Sequence, residues 1–208
     1  MSAAFDRLCR ALSGLPGVGR RSAERMATGI ALDRALLQEI SGALEMAART
    51  LANCPRCGNL TDRGEALCKS CADPKRNDRL LCVVETLDEL RVLQRMPGFD
   101  GRYFCLLGRL SPVRGEEVPD DRIRLLVARV RDEAVAEVVL ATGADAEGEA
   151  TFAYVRERLA GLPCRVSRLA AGIPSGSGLA HIDPVTLSRA LLERRVVDPP
   201  PSGYRENP

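Results

Sequence analysis

The chain has 208 residues, a formal net charge of +2, 3% aromatic residues and no tryptophan. That length suits one or two domains with a real core, which must be built largely from Leu, Val, Ile and Ala. Its single histidine, His181, excludes an HExxH zinc protease and any His-rich metal site, and a Ser-His-Asp triad would have to use it. Only Lys69 and Lys75 are lysine among 30 basic residues, so the positive charge is almost all arginine. No run of about 18 apolar residues occurs, which predicts no membrane span. Asp6, Arg7 and Arg10 interrupt the N-terminus, where a signal peptide would need an apolar stretch. A cytoplasmic protein is expected, with reduced thiols, so its eight cysteines need a role other than disulfides.

In chain order, residues 1–51 read as three helices. Phe5, Leu8, Leu12 and Leu15 recur at helical spacing before Pro16-Gly17-Val18-Gly19 breaks the chain. A second helix carries Met26, Ala27 and Ile30. A third, over about 33–51, places Leu36, Leu37, Ile40, Leu44, Ala48 and Leu51 on one face. Periodicity is lost over 53–78, a loop-rich insert with four cysteines. Leu80 to Val84 is then a short apolar run of the kind a doubly covered parallel strand needs. Thr86 and Glu89 have capping-box spacing and open a helix with Leu90 and Leu93. Further strands are predicted at 103–107, 135–141 and 164–169, with helices opened by Asp120 and Asp121 and spanning 149–159. Asp183-Pro184 starts a last helix with Leu187 and Leu191, and 199–208 reads as a loose tail. This alternation predicts an α/β sheet with parallel neighbours.

Three groups of residues carry chemistry. Cys54-Pro-Arg-Cys57 and Cys68-Lys-Ser-Cys71 are separated by ten residues. Each pair delivers two thiolates from one turn, and Gly58 lets the first turn bring backbone N–H groups toward sulfur. The set is read as a closed, structural Zn²⁺ site, against two disulfides or a redox pair. Cys9, Cys82, Cys105 and Cys164 stand singly and read as buried thiols.

Leu15-Pro-Gly-Val-Gly19-Arg20-Arg21-Ser22-Ala23 joins two helices. Gly17 and Gly19 are expected to turn the backbone with positive φ, leaving free N–H groups at a helix start for a phosphate. Arg20, Arg21 and Arg25 supply charge there. The alternative is a plain helical hairpin with solvated arginines.

Glu85 follows the first strand and Asp145 and Glu147 follow the third, at the carboxyl ends where α/β sheets gather functional groups. They are candidates to hold Mg²⁺. The competing reading is that these acids cap helices and face water. Residues 133–151 carry five acids and no base, whereas 1–25 carry five arginines against Asp6 and Glu24. A near-neutral total therefore conceals a basic and an acidic segment.

Taken in order, these segments resemble the RecR recombination-mediator family of bacterial DNA repair. The resemblance spans nearly the whole chain. It rests on Leu15 to Gly19 with Ser22-Ala23, the four cysteines, Cys82-Val-Val-Glu85 and Gly101-Arg-Tyr-Phe104. It continues through Leu110-Ser-Pro112, Ala141-Thr142, Glu147-Gly-Glu-Ala-Thr151, Gly172-Ile-Pro174 and Thr186-Leu187.

The fold class this implies is a multi-module α+β chain. A helix-hairpin-helix region would span 1–52, a four-cysteine zinc finger 53–78 and an α/β Toprim domain with a mostly parallel sheet 79–170. A C-terminal Walker B-like segment, helix and tail would occupy 171–208. The resemblance also implies a non-catalytic DNA clamp and adaptor, assembled as a homotetrameric ring and associated with the nucleoid. It would bind double- and single-stranded DNA and act with RecO, and in one branch RecF, to load RecA on strands coated by SSB. The family's basic DNA-contacting positions fall on Arg21, where lysine is usual, and on Arg25. Its acidic position linked to RecO docking falls on Glu147.

The sequence departs from the family at Gly143-Ala144, where Asn-Pro is usual, and Asp145 next to them forms an Asp-x-Glu. It departs again at Ser175-Gly-Ser-Gly178 and Ala180, beside His181. Against the adaptor stands an enzyme reading, a Mg²⁺-dependent Toprim-type nuclease or primase using Glu85, Asp145 and Glu147. No Gly-x4-Gly-Lys-[Ser/Thr] loop exists, so ATP hydrolysis is not expected.

Overall fold

The computed structural model describes residues 2–170, 172 and 182–192, and the chain forms two compact units, 1–72 and 73–208. The altered loop at 175–178, His181 and the tail from residue 199 lie outside the described residues. No helix among the described residues is long and apolar enough to cross a membrane.

The first unit opens with α1 (Ala3–Ser13), α2 (Arg20–Leu32) and α3 (Arg34–Thr50). Between α1 and α2, Val18 N donates to Leu15 O at 3.1 Å, with Pro16 second in the turn and Gly17 third at φ +78°. This is the residue order of a type II turn, whose third position favours glycine. Asp33 starts α3 by accepting from Ala35 N and Leu36 N, both at 3.0 Å. α2 buries Ala23, Ala27 and Ile30. Among the described residues nothing buries the apolar stripe expected on α3: the helix has no buried residue, and Leu44 is 66% exposed. After it come β1 (Leu51–Asn53), antiparallel to β2 (Leu60–Asp62), and the short α4 (Lys69–Ala72).

The second unit is a sheet of β3 (Asn77–Val84), β4 (Gly101–Cys105), β5 (Glu137–Leu140) and β6 (Arg165–Arg168). Its order is β4-β3-β5-β6 and every neighbouring pair is parallel. The connecting helices are α5 (Leu87–Arg95), α6 (Asp120–Asp132) and α7 (Ala146–Arg158). Strand alternation sends Leu81 and Val83 to one face, in a core with Phe104, Ile123, Leu126, Val130, Val138, Leu140 and Val155. Cys82 and Val84 go to the other, with Leu90, Tyr103 and Cys105. Thus α6 and α7 cover one face and α5 the other, as the continuous apolar run at 80–84 requires. The core also uses Phe104 and Tyr103, two of the few aromatic side chains.

Boundaries differ from expectation for physical reasons. β3 starts at Asn77 because its first residues are polar and exposed while still pairing, Asn77 with Gly101. The α5 capping box forms as predicted, Thr86 Oγ1 accepting from Glu89 N at 3.3 Å and Glu89 Oε2 from Thr86 N at 2.9 Å. Asp120 and Asp121 lie inside the first turn of α6, whose N-cap is Pro119. α8 (Pro184–Leu192) begins as expected, Asp183 Oδ1 accepting from Val185 N and Thr186 N.

The four single cysteines divide. Cys82 and Cys105 are buried, and burial pushes their thiols up to about 12 and about 11. Cys9 and Cys164 are only half-buried. Cys9 lies on α1, which buries no residue, and Cys164 precedes the edge strand β6.

Candidate functional site

Three constellations emerge, and they differ in how completely their groups are partnered. At the hairpin, Gly19 is the N-cap of α2 and offers no side chain to the first-turn N–H groups, and no acid sits in that turn. The positive φ expected of both glycines is found at Gly17. Gly19 has φ −76°, which any residue adopts, and a Cβ there would meet open space. Its use is an uncovered helix start rather than a strained turn. Arg20, Arg21 and Arg25 are exposed. Arg20 Nε pairs with Glu24 Oε1 at 3.1 Å. Arg21 and Arg25 are one turn apart and share a helix face. Neither has an ion pair among the described residues.

The four cysteine sulfurs of the insert all lie within 4.8 Å of one another and are buried. Zinc bound at about 2.3 Å in a tetrahedron holds its sulfurs about 3.8 Å apart, so the donor set fits that ion. Cys54 O accepts from Gly58 N at 2.8 Å, closing the first loop with Gly58 at φ +83°. Cys68 O accepts from Cys71 N at 2.9 Å at the start of α4. Backbone N–H groups point at sulfur, among them Asn59 N to Cys57 Sγ and Cys68 N to Cys54 Sγ, both 3.4 Å. Crowding drives neighbouring thiols apart. The S–H of Cys57 is held on by Cys68, raising it, while the same contact favours thiolate at Cys68. A bound cation is what allows all four to ionise together.

The acidic residues converge at the carboxyl ends of β3 and β5. This is the point where the chain leaves β3 toward β4 on one side and β5 toward β6 on the other. Glu85 is buried, its side chain 1% exposed, and its Oε2 accepts from Gly143 N at 3.1 Å. Asp145 is the N-cap of α7, accepting from Gly148 N at 2.8 Å, so that helix starts at Ala146 rather than 149. The helix-capping reading of the acids therefore holds for Asp145.

Arg109, which the sequence reading did not single out, lies among all three. Its guanidinium stands 2.7 Å from Asp145 Oδ1, 3.3 Å from Glu147 Oε2 and 3.8 Å from Glu85 Oε1. Arg114 Nη2 adds a contact of 2.6 Å to Glu147 Oε2, and Ser111 Oγ donates to Glu147 Oε1. Asp145 is held below the usual carboxylate range by the Arg109 guanidinium first and Gly148 N second. Glu147 is lowered by the Ser111 hydroxyl first, then by Arg114. A Mg²⁺ ion needs its oxygens at about 2.0–2.1 Å in an octahedron, and the guanidinium already lies among those oxygens. The residues present do not fit a divalent ion.

The sequence therefore brings the three acids together correctly but misses the bases between them. The strand-end rule that selects Glu85, Asp145 and Glu147 applies equally to the loop after β4. Applied to cations, it would have selected Arg109 and Arg114.

Comparison with known proteins gives three matching family models: RecR, helix-hairpin-helix over 5–48, Toprim domain over 79–170, and RecR, C-terminal over 172–195. The chain is similar to the recombination protein RecR of Psychrobacter cryohalolentis, 41% identical over 195 residues, covering 93% of this chain and 98% of the relative. It is also 41% identical over 190 residues to recombination protein RecR of Anaeromyxobacter sp., covering 91% of this chain and 95% of that protein. A third relative, recombination protein RecR of Psychrobacter sp., is 38% identical over 191 residues, or 91% of this chain and 97% of its own.

Proposed function

Because the chain belongs to the RecR family of recombination proteins, with a role in recombinational repair, we propose that it is a DNA clamp and adaptor without catalysis of its own. It would act with RecO, and with RecF where present, to load RecA on SSB-coated single strands. The observation that carries this reading is the exposed trio Arg20, Arg21 and Arg25 around the uncovered N-terminal turn of α2. Backbone N–H groups and guanidinium forks there suit phosphate oxygens, which carry no base identity. Gly17 shapes the turn, and Gly19 keeps the helix start open to a backbone.

Zn²⁺ is the ion proposed for Cys54, Cys57, Cys68 and Cys71, holding the insert in shape. Glu147 is proposed as the acid that meets a basic partner, RecO. A tetramer would cover the leucine stripe that α3 leaves exposed, since contiguous uncovered apolar surface marks an interface. The cytoplasm, at the nucleoid, is the proposed location. The enzyme reading is weakened by the guanidinium among the three acids.

The deciding experiment is a salt titration of DNA binding by wild type and Arg21→Ala/Arg25→Ala. Wild type should lose affinity steeply with salt. The double variant should bind duplex and single strand more weakly, with a log–log salt slope shallower by about 2, near one unit for each phosphate no longer gripped. Unchanged binding by that variant rejects the hairpin assignment. Solution mass with and without DNA tests the ring, and a Mg²⁺-dependent cleavage assay with Glu85→Gln as control tests the enzyme alternative.

A further inference from the structure

We propose that Arg109 is a resident counter-cation, occupying the place a divalent metal would take among Glu85, Asp145 and Glu147 and thereby locking a latent cation site.

Four observations carry this. The first is position. The guanidinium is within 4 Å of all three carboxylates, which come from the ends of two adjacent parallel strands. The second is an unmet demand at the centre. Glu85 Oε1 is buried and makes no hydrogen bond, and Arg109 Nε facing it makes none either. A buried carboxylate oxygen without a hydrogen bond needs a compensating charge, and the Arg109 guanidinium at 3.8 Å is the cation that faces it.

The third is charge. Three carboxylates face Arg109, and Arg114 is shared between Glu147, at 2.6 Å, and Glu116, at 3.9 Å, so both guanidiniums stand as fixed positive charges among the acids. A dication entering beside a guanidinium would meet strong like-charge repulsion. The fourth is backbone design. Leu107 adopts φ +58°, a left-handed conformation uncommon for leucine. That turn carries Gly108 N to within 3.1 Å of Glu85 O and delivers Arg109 to the acids. The same loop is tied to α7 by Leu110 N donating to Thr151 Oγ1 at 3.0 Å and by Ser111 on Glu147. Strain held in place by several bonds beside a charged cluster marks a position built for that side chain.

The proposal deepens the non-catalytic reading and is independent of the hairpin, whose DNA affinity is read separately. The test uses full-length, zinc-loaded protein without DNA, titrated with Mn²⁺ by calorimetry and with Mg²⁺ during thermal unfolding. These hard ions prefer oxygen and leave the thiolate site alone. Wild type should show no saturable Mn²⁺ binding and no Mg²⁺-dependent rise in Tm.

Arg109→Gln should gain a single saturable Mn²⁺ site, about tenfold or more tighter than any wild-type response. Adding Glu85→Gln to it should abolish that site. Saturable wild-type binding that Glu85→Gln removes overturns the proposal, as does a folded Arg109→Gln that binds no ion. If Arg109→Gln does not fold, wild type against Glu85→Gln decides. Equal, non-saturable responses support the lock, and a saturable site in wild type alone rejects it.

Discussion

The Arg122 guanidinium grips the backbone carbonyl of Cys105 twice, Nε at 3.1 Å and Nη2 at 2.6 Å. β4 is an edge strand, and Leu106 N bonding Val84 O places the Cys105 carbonyl on the side away from β3. Arg129 Nη1 does the same for Tyr103 O, the next outward carbonyl, at 3.0 Å. Two arginines of α6 thus close an edge that would otherwise offer free acceptors to another strand. Arg122 also lies over the Phe104 ring, 4.3 Å from its centroid. Arg122→Met keeps the length and removes the donors. It should lower unfolding free energy by about 2–3 kcal/mol, the cost of a buried carbonyl left without its charged donor. Urea unfolding checks this, with exposed Arg124→Met as the control expected to change little. An unchanged midpoint for Arg122→Met would show the contact to be incidental.

Those arginines also show where sequence reading stops. Amphipathic period puts Ile123, Val127 and Val130 toward the core, where they pack. The strand-end rule brings Glu85, Asp145 and Glu147 to the end of the sheet where Arg109 lies within 4 Å of all three. The periods describe burial of apolar groups, however, and treat arginine as solvent-facing. Arg109, Arg122 and Arg129 instead answer tertiary demands: a carboxylate cluster and an exposed strand edge, neither of which exists before the chain is folded. The α3 stripe fails in the opposite sense. Its period is real, but among the described residues no surface buries it.

Gly148 is a second such case. In the sequence it is only one residue of a motif, yet it sits in the first turn of α7, where the Gly143 loop passes close. A Cβ at Gly148 would stand 2.2 Å from Gly143 O and 2.5 Å from Gly143 C, both backbone atoms that cannot swing aside. Gly148→Ala should therefore displace the loop, breaking the bonds of Gly143 N to Glu85 and Gly148 N to Asp145. The expected loss is about 1–3 kcal/mol despite alanine's better helix propensity. Thermal unfolding of this variant beside Gly42→Ala, where a Cβ meets open space, separates the two effects. Stabilisation at both positions would refute the close approach.

The sulfur cluster predicts a metal-dependent fold for the insert. Zinc content of purified wild type should approach one ion per chain. Cys54→Ser should lose most of it, since Cys54 also accepts the Cys68 N–H that orients the second pair. Chelation should loosen β1, β2 and α4, read as faster amide exchange there, while the sheet of the second unit keeps its protection. Zinc-free protein with unchanged exchange would remove the structural role from all four cysteines.

Asp145 and Glu147 give the molecule an acid-side pH dependence whose sign is fixed by their partners. Both are lowered in the folded protein, Asp145 first by Arg109 and Glu147 first by Ser111. A lowered carboxylate contributes stability that is fully present above its unfolded value, about 4, and is lost as pH falls through the folded one. Asp145→Asn isolates the charge, because asparagine still accepts the Gly148 N–H as an N-cap but no longer pairs with Arg109. The wild-type Tm should exceed that of the variant at pH 7 and converge with it as pH drops below about 4. Because Asp145 is largely exposed, the gap should also narrow with added salt. A gap that stays constant from neutral to acid pH would mean that the contact with Arg109 contributes through shape alone. It would then also remove the electrostatic basis for the lock proposed at this site.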